Sequence, residues 1–188
     1  MTLPIKAAAE VAAARDGDVR ALNRLMEAWL PVVLRWSMRC TPPGVDPEDV
    51  AHDALVQVFT SLPSLRDPSR FAAYVYRIVD RTAAAHARRA WLRKWVPGLT
   101  PEASTESNAE ESLLIQRIRQ ALHACPRKHR EVLILVEIEG FTVAQTAEIL
   151  GVPVGTVKSR LRLARPRFAQ NARKLGLDAY VNSRAAGR

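Results

Sequence analysis

The sequence predicts an all-α protein built from two small helical domains that a flexible linker joins. Helix-forming residues dominate the 188-residue chain, and segments that alternate between apolar and polar residues are almost absent. Helical periodicity is lost over residues 96–110, where Pro, Gly, Ser, Thr and Glu accumulate as they do in linkers. We therefore expect a first domain over residues 8–95, a second domain over 111–175 and a tail over 176–188.

Charge is distributed unevenly along the chain. The formal net charge is +9 and the isoelectric point is about 10.4. Residues 1–111 contain 14 basic and 14 acidic residues, whereas residues 112–188 contain 14 basic and 5 acidic residues. Such an excess favours a polyanionic partner, either a nucleic acid or an anionic membrane surface. We expect no membrane insertion. The most basic predicted helix, over residues 154–165, has an apolar face of small valines and a leucine, which suit a protein core.

Several classes of protein are disfavoured. The two cysteines are far apart in sequence, which fits a reducing, cytoplasmic location rather than a disulfide framework. The N-terminal segment does not resemble a signal peptide, and no run of 18 uncharged apolar residues occurs. Walker loops and Ser-His-Asp arrangements are missing. We therefore expect no enzymatic activity and no cofactor.

Two groups of residues could bind a metal, and neither pattern favours it. Asp46, Glu48, Asp49 and Asp53 could hold Mg²⁺, and Asp46, Asp49 and Asp53 share a helix face. Their place in the first turns of a helix is explained equally well by the helix dipole. The second candidate lacks the tight paired spacing of zinc sites. It would use His123, Cys125, His129 and Cys40.

The first domain should contain several helices. Residues 17–40 have helical apolar spacing, and Pro31 should begin a new helix or kink this one. Asp46 is a candidate N-cap, with Pro47 at the first helical position of a helix that ends near Ser61. After a second turn, a long helix should run from about Ser69 to Arg93, with a buried stripe. The stripe residues are Phe71, Tyr74, Val75, Ile78 and Val79.

The second domain should begin with a helix that contains Leu114, Ile118, Ala121 and Leu122, followed by another that starts at Pro126. The segment VLILVEI at 132–138 could pass for a strand, but its length and helical flanks favour a helix that ends at Gly140.

A helix-turn-helix pattern follows. Thr142 and Gln145 have the spacing of a capping box, which predicts a short helix over residues 143–150. Gly151 should form a tight turn, and Pro153 is well placed to start the next helix.

The last basic helix has two distinct faces. At about 100° per residue, Val154, Val157, Leu161 and Ala164 cluster toward the core. The opposite face presents small and polar residues and Leu163, for which the pattern offers no explanation. Pro166 should end or kink the helix near Arg165. The candidate upstream DNA-binding residues are Gly155, Thr156, Lys158, Ser159, Arg160, Arg162 and Arg165.

These residue types suit DNA. A recognition helix contacts base edges with its N-terminal residues, where small side chains permit close approach. Arg162 could form two hydrogen bonds with a guanine, and flanking cations suit phosphates. The alternative is an ordinary solvated basic helix. The capping box and the turn glycine favour DNA binding over this alternative.

Aromatic residues lie among cations within residues 71–93. Aromatic faces stack on unpaired bases, and cations follow the nucleic-acid backbone. Tyr74 could instead be a core residue, and Arg88 and Arg89 could be a solvated pair. The candidate residues for a second DNA contact are Tyr74, Tyr76, Arg77, Arg81, His86, Arg88 and Arg89.

Two segments resemble a known family. The segment LHACPRKHREVLILVEIEGFTVAQTAEILGVPVGTVKSRLRLAR at 122–165 is similar to domain 4 of bacterial sigma-70-type RNA polymerase sigma factors, extracytoplasmic-function (ECF, group IV) branch. DPEDVAHDALVQVF at 46–59 and, more loosely, FAAYVYRIVDRTAAAHARR at 71–89 resemble domain 2 of the same family.

The resemblance implies a role for each segment. The helix over 46–59 would dock on the clamp coiled coil of the polymerase β′ subunit, and the helix over 71–93 would contact the −10 element. The helix over 154–165 would contact the −35 element, and the linker would pass through the polymerase, whose β flap is a further expected partner. An anti-sigma factor is expected as a regulator. The implied core-polymerase contacts are Asp46, Glu48, Asp49, His52 and Asp53.

The resulting interpretation is a sigma factor that binds core RNA polymerase and directs it to promoter DNA through −10 and −35 contacts. An alternative remains at this point, a stand-alone helix-turn-helix regulator that binds DNA without polymerase. An enzyme is a third possibility, and it would require metal-dependent turnover that the Asp49→Ala substitution abolishes.

Overall fold

The protein is helical throughout the part that the computed structural model describes, residues 8–93 and 113–179. No strand occurs within these two ranges, which confirms the predicted all-α class. The expected linker over 96–110 and most of the expected tail lie outside the described residues. The α-helices are α1 (Ala8–Arg15), α2 (Val19–Cys40), α3 (Pro47–Thr60), α4 (Phe71–Arg93), α5 (Leu113–His123), α6 (Arg127–Val132), α7 (Val143–Leu150) and α8 (Val154–Lys174).

The chain divides into two compact units. The first contains α1 to α4, and α2 packs against the other three helices of this unit. The second contains nearly all of the described residues from 113 onward, and α8 packs there against α5 and α6.

An aromatic cluster forms the core of the first unit. The Trp36 side chain is completely buried, and its ring makes edge-to-face contacts with Trp29 at 6.2 Å and with Tyr76 at 5.2 Å between centroids. Trp29 packs in the same way on Phe71 at 4.9 Å. Aromatic pairs in this geometry are stabilising beyond the area that they bury. The cluster fixes α4 against α2.

Side-chain caps define the helix starts in the first unit. The Asp46 carboxylate accepts a hydrogen bond from the Glu48 N–H at 2.8 Å, and Pro47 occupies the first helical position. Asp67 accepts one from the Ser69 N–H at 3.0 Å, ahead of a short 3₁₀ turn that leads into α4. Both helices therefore begin where the sequence predicts.

Pro31 does not begin a new helix. It lies inside α2, which is continuous from Val19 to Cys40. Proline removes one intrahelical N–H, but Pro31 is exposed, and so is Glu27, the residue whose carbonyl loses its partner. Val33 and Trp36 are fully buried in the following turns. Their packing holds the chain helical beyond the proline.

The segment VLILVEI is helical, but in an unexpected form. After α6, residues Leu133–Ile138 form a π-helical turn, in which the Glu139 N–H donates to the carbonyl of Ile134 at 2.9 Å. Gly140 then ends the helix with a φ of +74°, a conformation that glycine adopts without strain. The predicted helix is therefore confirmed, and the π-form is an addition that sequence pattern does not indicate.

Pro166 does not end the last helix. The helix α8 continues to Lys174. Beyond Pro166, Ala172 is fully buried and Leu177 is 4% exposed, and both pack with Ala121 of α5. This burial continues the helix past its proline.

The described residues contain two buried cysteines, Cys40 and Cys125, and neither forms a disulfide within these residues. Burial raises the pKa of the Cys125 thiol, and the amide of Asn171 lies 3.5 Å from its sulfur. Within residues 8–93 and 113–179, no helix is both long and apolar enough to cross a membrane.

Candidate nucleic-acid interface

The helix-turn-helix consists of α7, a short turn and α8. The Gln145 N–H donates to the Thr142 hydroxyl at 3.2 Å, and the Thr142 N–H donates to the Gln145 side chain at 2.9 Å, which is the reciprocal pattern of a capping box. Gly151 turns the chain with a φ of +66°. Pro153 caps α8, which begins at Val154. The predicted motif is confirmed in each of these details.

The buried face of α8 is largely as predicted. Val157, Leu161 and Ala164 are buried against the rest of the second unit. Val154 was expected on the same face, but its side chain is 43% exposed. It lies in the first turn, where fewer neighbours surround the helix. Leu163 is exposed as its angle implies, and nothing in the structure explains why leucine occupies that position.

The opposite face of α8 is polar and accessible. Gly155, Lys158, Ser159 and Arg162 are exposed, and Thr156 is half-buried. The Ser159 hydroxyl donates to the Thr156 carbonyl at 2.9 Å and keeps its lone pairs as acceptors. A face of small, hydroxyl-bearing and cationic residues at the N-terminal end of such a helix fits base edges and phosphates in a major groove.

Two of the candidate arginines are held by carboxylates. An Arg160 nitrogen lies 3.9 Å from the Glu131 carboxylate. The Arg165 Nε donates to a Glu137 oxygen at 3.0 Å, and a terminal nitrogen of Arg165 lies 2.9 Å from the same oxygen. No motif or spacing in the sequence marks these glutamates. The only available signal was their scarcity, since residues 112–188 contain five acidic residues in total.

A buried histidine lies beneath the basic surface of the second unit. Burial lowers the pKa of His129, and the nearby cations Arg167, Lys128 and Arg160 lower it further. Its Nδ1 atom is buried with no hydrogen-bond partner in the described part of the chain. A proton on this ring would therefore be an unpaired buried charge in a positive field, and the fold favours the neutral imidazole.

We expect the stability of the second unit to fall as pH falls below about 6.5, the ordinary pKa of histidine. The unfolded state binds a proton there that the folded state binds only at lower pH, so acid favours unfolding. Thermal unfolding followed by circular dichroism between pH 7.5 and pH 5.5 measures the effect. His129→Gln should flatten the dependence in this window, and an unchanged slope in that variant would contradict the assignment.

A basic stripe follows one face of α4 in the first unit. Arg77, Arg81 and Arg88 are exposed, and at about 100° per residue they lie within about 40° of one another. Tyr74 falls on the same side of the helix. Arg89 is also exposed, but it points to the flank of the stripe.

The two candidate tyrosines of α4 differ sharply. Tyr76 is 2% exposed and packs on Trp36, so the expectation that it stacks on a base is wrong. Its helical angle places it away from the basic stripe. Tyr74 is half-buried, and its hydroxyl lies 2.8 Å from the Val58 carbonyl, to which it donates, and 2.7 Å from the Ser61 hydroxyl. Burial raises the pKa of Tyr74.

The exposed face of α3 is acidic. Glu48, Asp49, His52 and Asp53 are all exposed. Asp46 differs from them, because its carboxylate caps the helix.

One candidate residue of α4 forms a hydrogen bond with one candidate residue of α3. The Nε2 atom of His86 lies 2.8 Å from an Asp53 carboxylate oxygen. His86 therefore faces α3 and not the arginine stripe.

Comparison with known proteins identifies the family. Residues 25–93 match the family model of sigma-70 region 2, and residues 115–167 match that of sigma-70 region 4. The chain is 31% identical to the ECF RNA polymerase sigma factor SigD of Mycobacterium tuberculosis over 161 residues, covering 80% of this chain and 76% of the relative. The chain belongs to the ECF sigma factor family.

Other relatives of this sigma factor agree. SigM of Mycobacterium tuberculosis is 31% identical over 171 residues, covering 89% of this chain and 84% of the relative. The ECF RNA polymerase sigma-E factor of Escherichia coli K12 is 31% identical over 166 residues, with 80% and 86% covered.

Two solved structures share the fold. CnrH, in complex with the cytosolic domain of CnrY, matches with a TM-score of 0.64 and 23% identity, covering 87% of this chain and 94% of that chain. RpoE of Bartonella quintana, in complex with the anti-sigma factor NepR, matches with a TM-score of 0.64 and 24% identity, with 82% and 98% covered.

The family assignment establishes the general activity. This sigma factor binds core RNA polymerase and directs promoter recognition in transcription initiation, a task that its family performs without enzymatic chemistry. The alternative of a stand-alone helix-turn-helix regulator is not supported, because the family match spans both units.

Proposed function

We propose that the two units of this sigma factor divide promoter recognition between them. The first, over residues 8–95, would bind core polymerase and contact the −10 element, and the second, over 111–175, would contact the −35 element. Residues 96–110 would connect them. The exposed polar face of α8 on a capped helix-turn-helix is the observation that carries this proposal.

The −35 contact is proposed for the first three turns of α8. Gly155, Thr156 and Ser159 allow a close approach to bases, and Arg162 has the donors to bind guanine through two hydrogen bonds. Lys158 is exposed on the flank, where phosphates run past a helix in the major groove.

The −10 contact is proposed for the basic stripe of α4. Arg77, Arg81 and Arg88 would follow the phosphate backbone, with Arg89 beside them. Tyr74 offers part of its ring next to this stripe, and its bonded hydroxyl holds the ring in place for stacking on an unpaired base. His86 remains a predicted contact. Because its side chain faces α3 rather than the basic stripe, it has the least support of the set.

Core-polymerase docking is proposed for the acidic face of α3. Glu48, Asp49, His52 and Asp53 present charges and donors on rigid helical backbone. Asp46 would act through the helix start that it caps. The implied partner is a basic, helical surface, which corresponds to the β′ clamp coiled coil of the family resemblance, while the β flap would meet the second unit.

A protein regulator is also proposed. Two solved structures of the same fold contain bound partners, the cytosolic domain of CnrY on CnrH and the anti-sigma factor NepR on the sigma factor RpoE. We propose that an anti-sigma factor likewise controls this chain. We also propose that this chain acts in the cytoplasm and needs no cofactor.

Transcription in vitro tests the proposed function. Purified core RNA polymerase is assayed on a genomic fragment library with and without this chain, and transcript starts are mapped. The proposal expects new starts that share upstream sequences only when the chain is present. Equal transcription without the chain, or tight binding of the chain to such DNA in the absence of core enzyme, would contradict it.

Asp49→Ala should weaken binding to core polymerase by about 1–2 kcal/mol, which is roughly tenfold. The reason is the loss of one exposed carboxylate from the docking face of α3. Fluorescence anisotropy with labelled chain and purified core enzyme measures the affinity. Asp16→Ala is the matched control, because Asp16 is exposed in a turn of the same unit and its ion pair with Arg15 contributes little. Equal affinities for the two variants would remove Asp49 from the docking surface.

A further inference from the structure

We infer that Glu137 and Glu131 are positioning residues for promoter binding, holding Arg165 and Arg160 along the side of α8 as phosphate contacts rather than base contacts. The inference rests on the proposed −35 function of α8. It assigns a role to two carboxylates in a unit whose partner is a polyanion, where an acidic group without a counter-charge would repel the DNA backbone.

Two nitrogens of Arg165 contact one carboxylate oxygen of Glu137. Both its Nε and one terminal nitrogen lie at hydrogen-bonding distance from the same Glu137 oxygen, at 3.0 Å and 2.9 Å. A guanidinium has five N–H donors, so three remain after this contact. The Arg165 side chain is 47% exposed and the Glu137 side chain is 16% exposed. The cation thus lies outermost, and the carboxylate lies beneath it.

Glu131 holds two arginines at once. One oxygen lies 3.1 Å from Arg127, one turn earlier in α6, and the other lies 3.9 Å from Arg160 of α8. Like Glu137, Glu131 is mostly buried. Each glutamate therefore ties a cation of α8 to the element before the helix-turn-helix, α6 or the π-helical turn.

Position along the helix supports phosphate binding by Arg165. It lies 11 residues beyond Val154, about 16 Å along the axis at 1.5 Å per residue. Base contacts of a recognition helix come from its N-terminal residues, whereas later residues meet the backbone as the groove curves away. An arginine fixed at its root by a carboxylate loses less side-chain freedom when it binds a phosphate.

The direction in which one substitution changes promoter affinity tests this inference. If Glu137 were only a negative charge near DNA, Glu137→Gln would strengthen promoter binding. If Glu137 positions Arg165, the same change should weaken binding although it removes a negative charge. Asp178→Asn is the matched control, because Asp178 is exposed beyond the end of α8 and carries the same charge.

The experiment measures the dissociation constant of the reconstituted holoenzyme on a promoter fragment from the transcript-start mapping, over a series of salt concentrations. We expect Glu137→Gln to weaken binding about threefold to tenfold and to lower the slope of log K against log salt by about 0.9, the value for one lost phosphate contact. Arg165→Ala should show the same losses, and the double variant should lose no more than either single variant.

Three outcomes would overturn the inference. The first is promoter binding by the Glu137→Gln variant that equals or exceeds binding by the Asp178→Asn variant. The second is a loss of affinity in the double variant that equals the product of the two single losses. The third is a lowered melting temperature of Glu137→Gln with an unchanged salt slope, which indicates a structural role alone. Glu137→Asp, which keeps the carboxylate, should recover part of the salt slope. Failure of the wild-type holoenzyme to bind any mapped promoter would instead overturn the proposed −35 function and the inference with it.

Discussion

Replacing Trp36 with alanine is expected to destabilise the first unit by about 3–5 kcal/mol, the range for large aromatic residues in protein cores. Trp36 is completely buried, and its ring contacts Trp29 and Tyr76 edge to face. The substitution removes both contacts and leaves a cavity between α2 and α4 that the surrounding rings cannot fill. Because α4 carries the proposed −10 surface, promoter opening should fail together with the fold.

Urea unfolding followed by tryptophan fluorescence measures this loss selectively. All four tryptophans, Trp29, Trp36, Trp91 and Trp95, precede residue 96, so the signal reports the first unit and not the second. Trp91→Ala is the matched control, because its side chain is 58% exposed and its removal should cost far less. Trp36→Phe should have an intermediate effect. Equal losses for the two alanine variants would contradict the aromatic core described above.

Local signals in the sequence were sufficient to place most helices. Asp46 followed by Pro47, and Thr142 followed by Gln145, each predict a helix start, and the structure has the expected hydrogen bonds at both. Such signals are reliable because cap and partner lie within three residues of each other, so the fold around them changes little.

Tertiary packing accounts for the differences between the predicted and the observed elements. Pro31 and Pro166 each lie inside a helix, where their local cost is offset by buried residues in the following turns. Tyr76 lies next to the arginines of α4 in sequence, and this proximity alone predicts a shared surface. Its angle around the helix separates it from Arg77 and Arg81, and a helical wheel would have assigned it to the core.

The two glutamates were beyond prediction from sequence for a different reason. Glu137 and Arg165 are 28 residues apart, and their contact depends on how α8 packs against the π-helical turn. No periodicity or spacing encodes that distance. The same holds for His86 and Asp53, which lie 33 residues apart and join α4 to α3.

Arg162→Ala should weaken −35 recognition by about 1–3 kcal/mol, if the guanidinium binds one guanine through two hydrogen bonds. Arg162 is exposed on the polar face of α8, toward the N-terminal half of the helix. Unlike Arg160 and Arg165, Arg162 forms no ion pair with a carboxylate of residues 8–93 or 113–179. Its donors are therefore available to DNA, and its loss should affect one base position more than the others.

Specificity separates a base contact from a phosphate contact. Transcription by the reconstituted holoenzyme is measured on a promoter set in which each −35 position is changed in turn. Arg162→Ala should reduce discrimination at one position, whereas Arg173→Ala, an exposed arginine in the last turn of the same helix, should leave the preference at every position unchanged. A uniform loss across all promoters would mean that Arg162 binds phosphate. In that case the sequence preference would come from Thr156 and Ser159, the remaining polar groups at the start of α8.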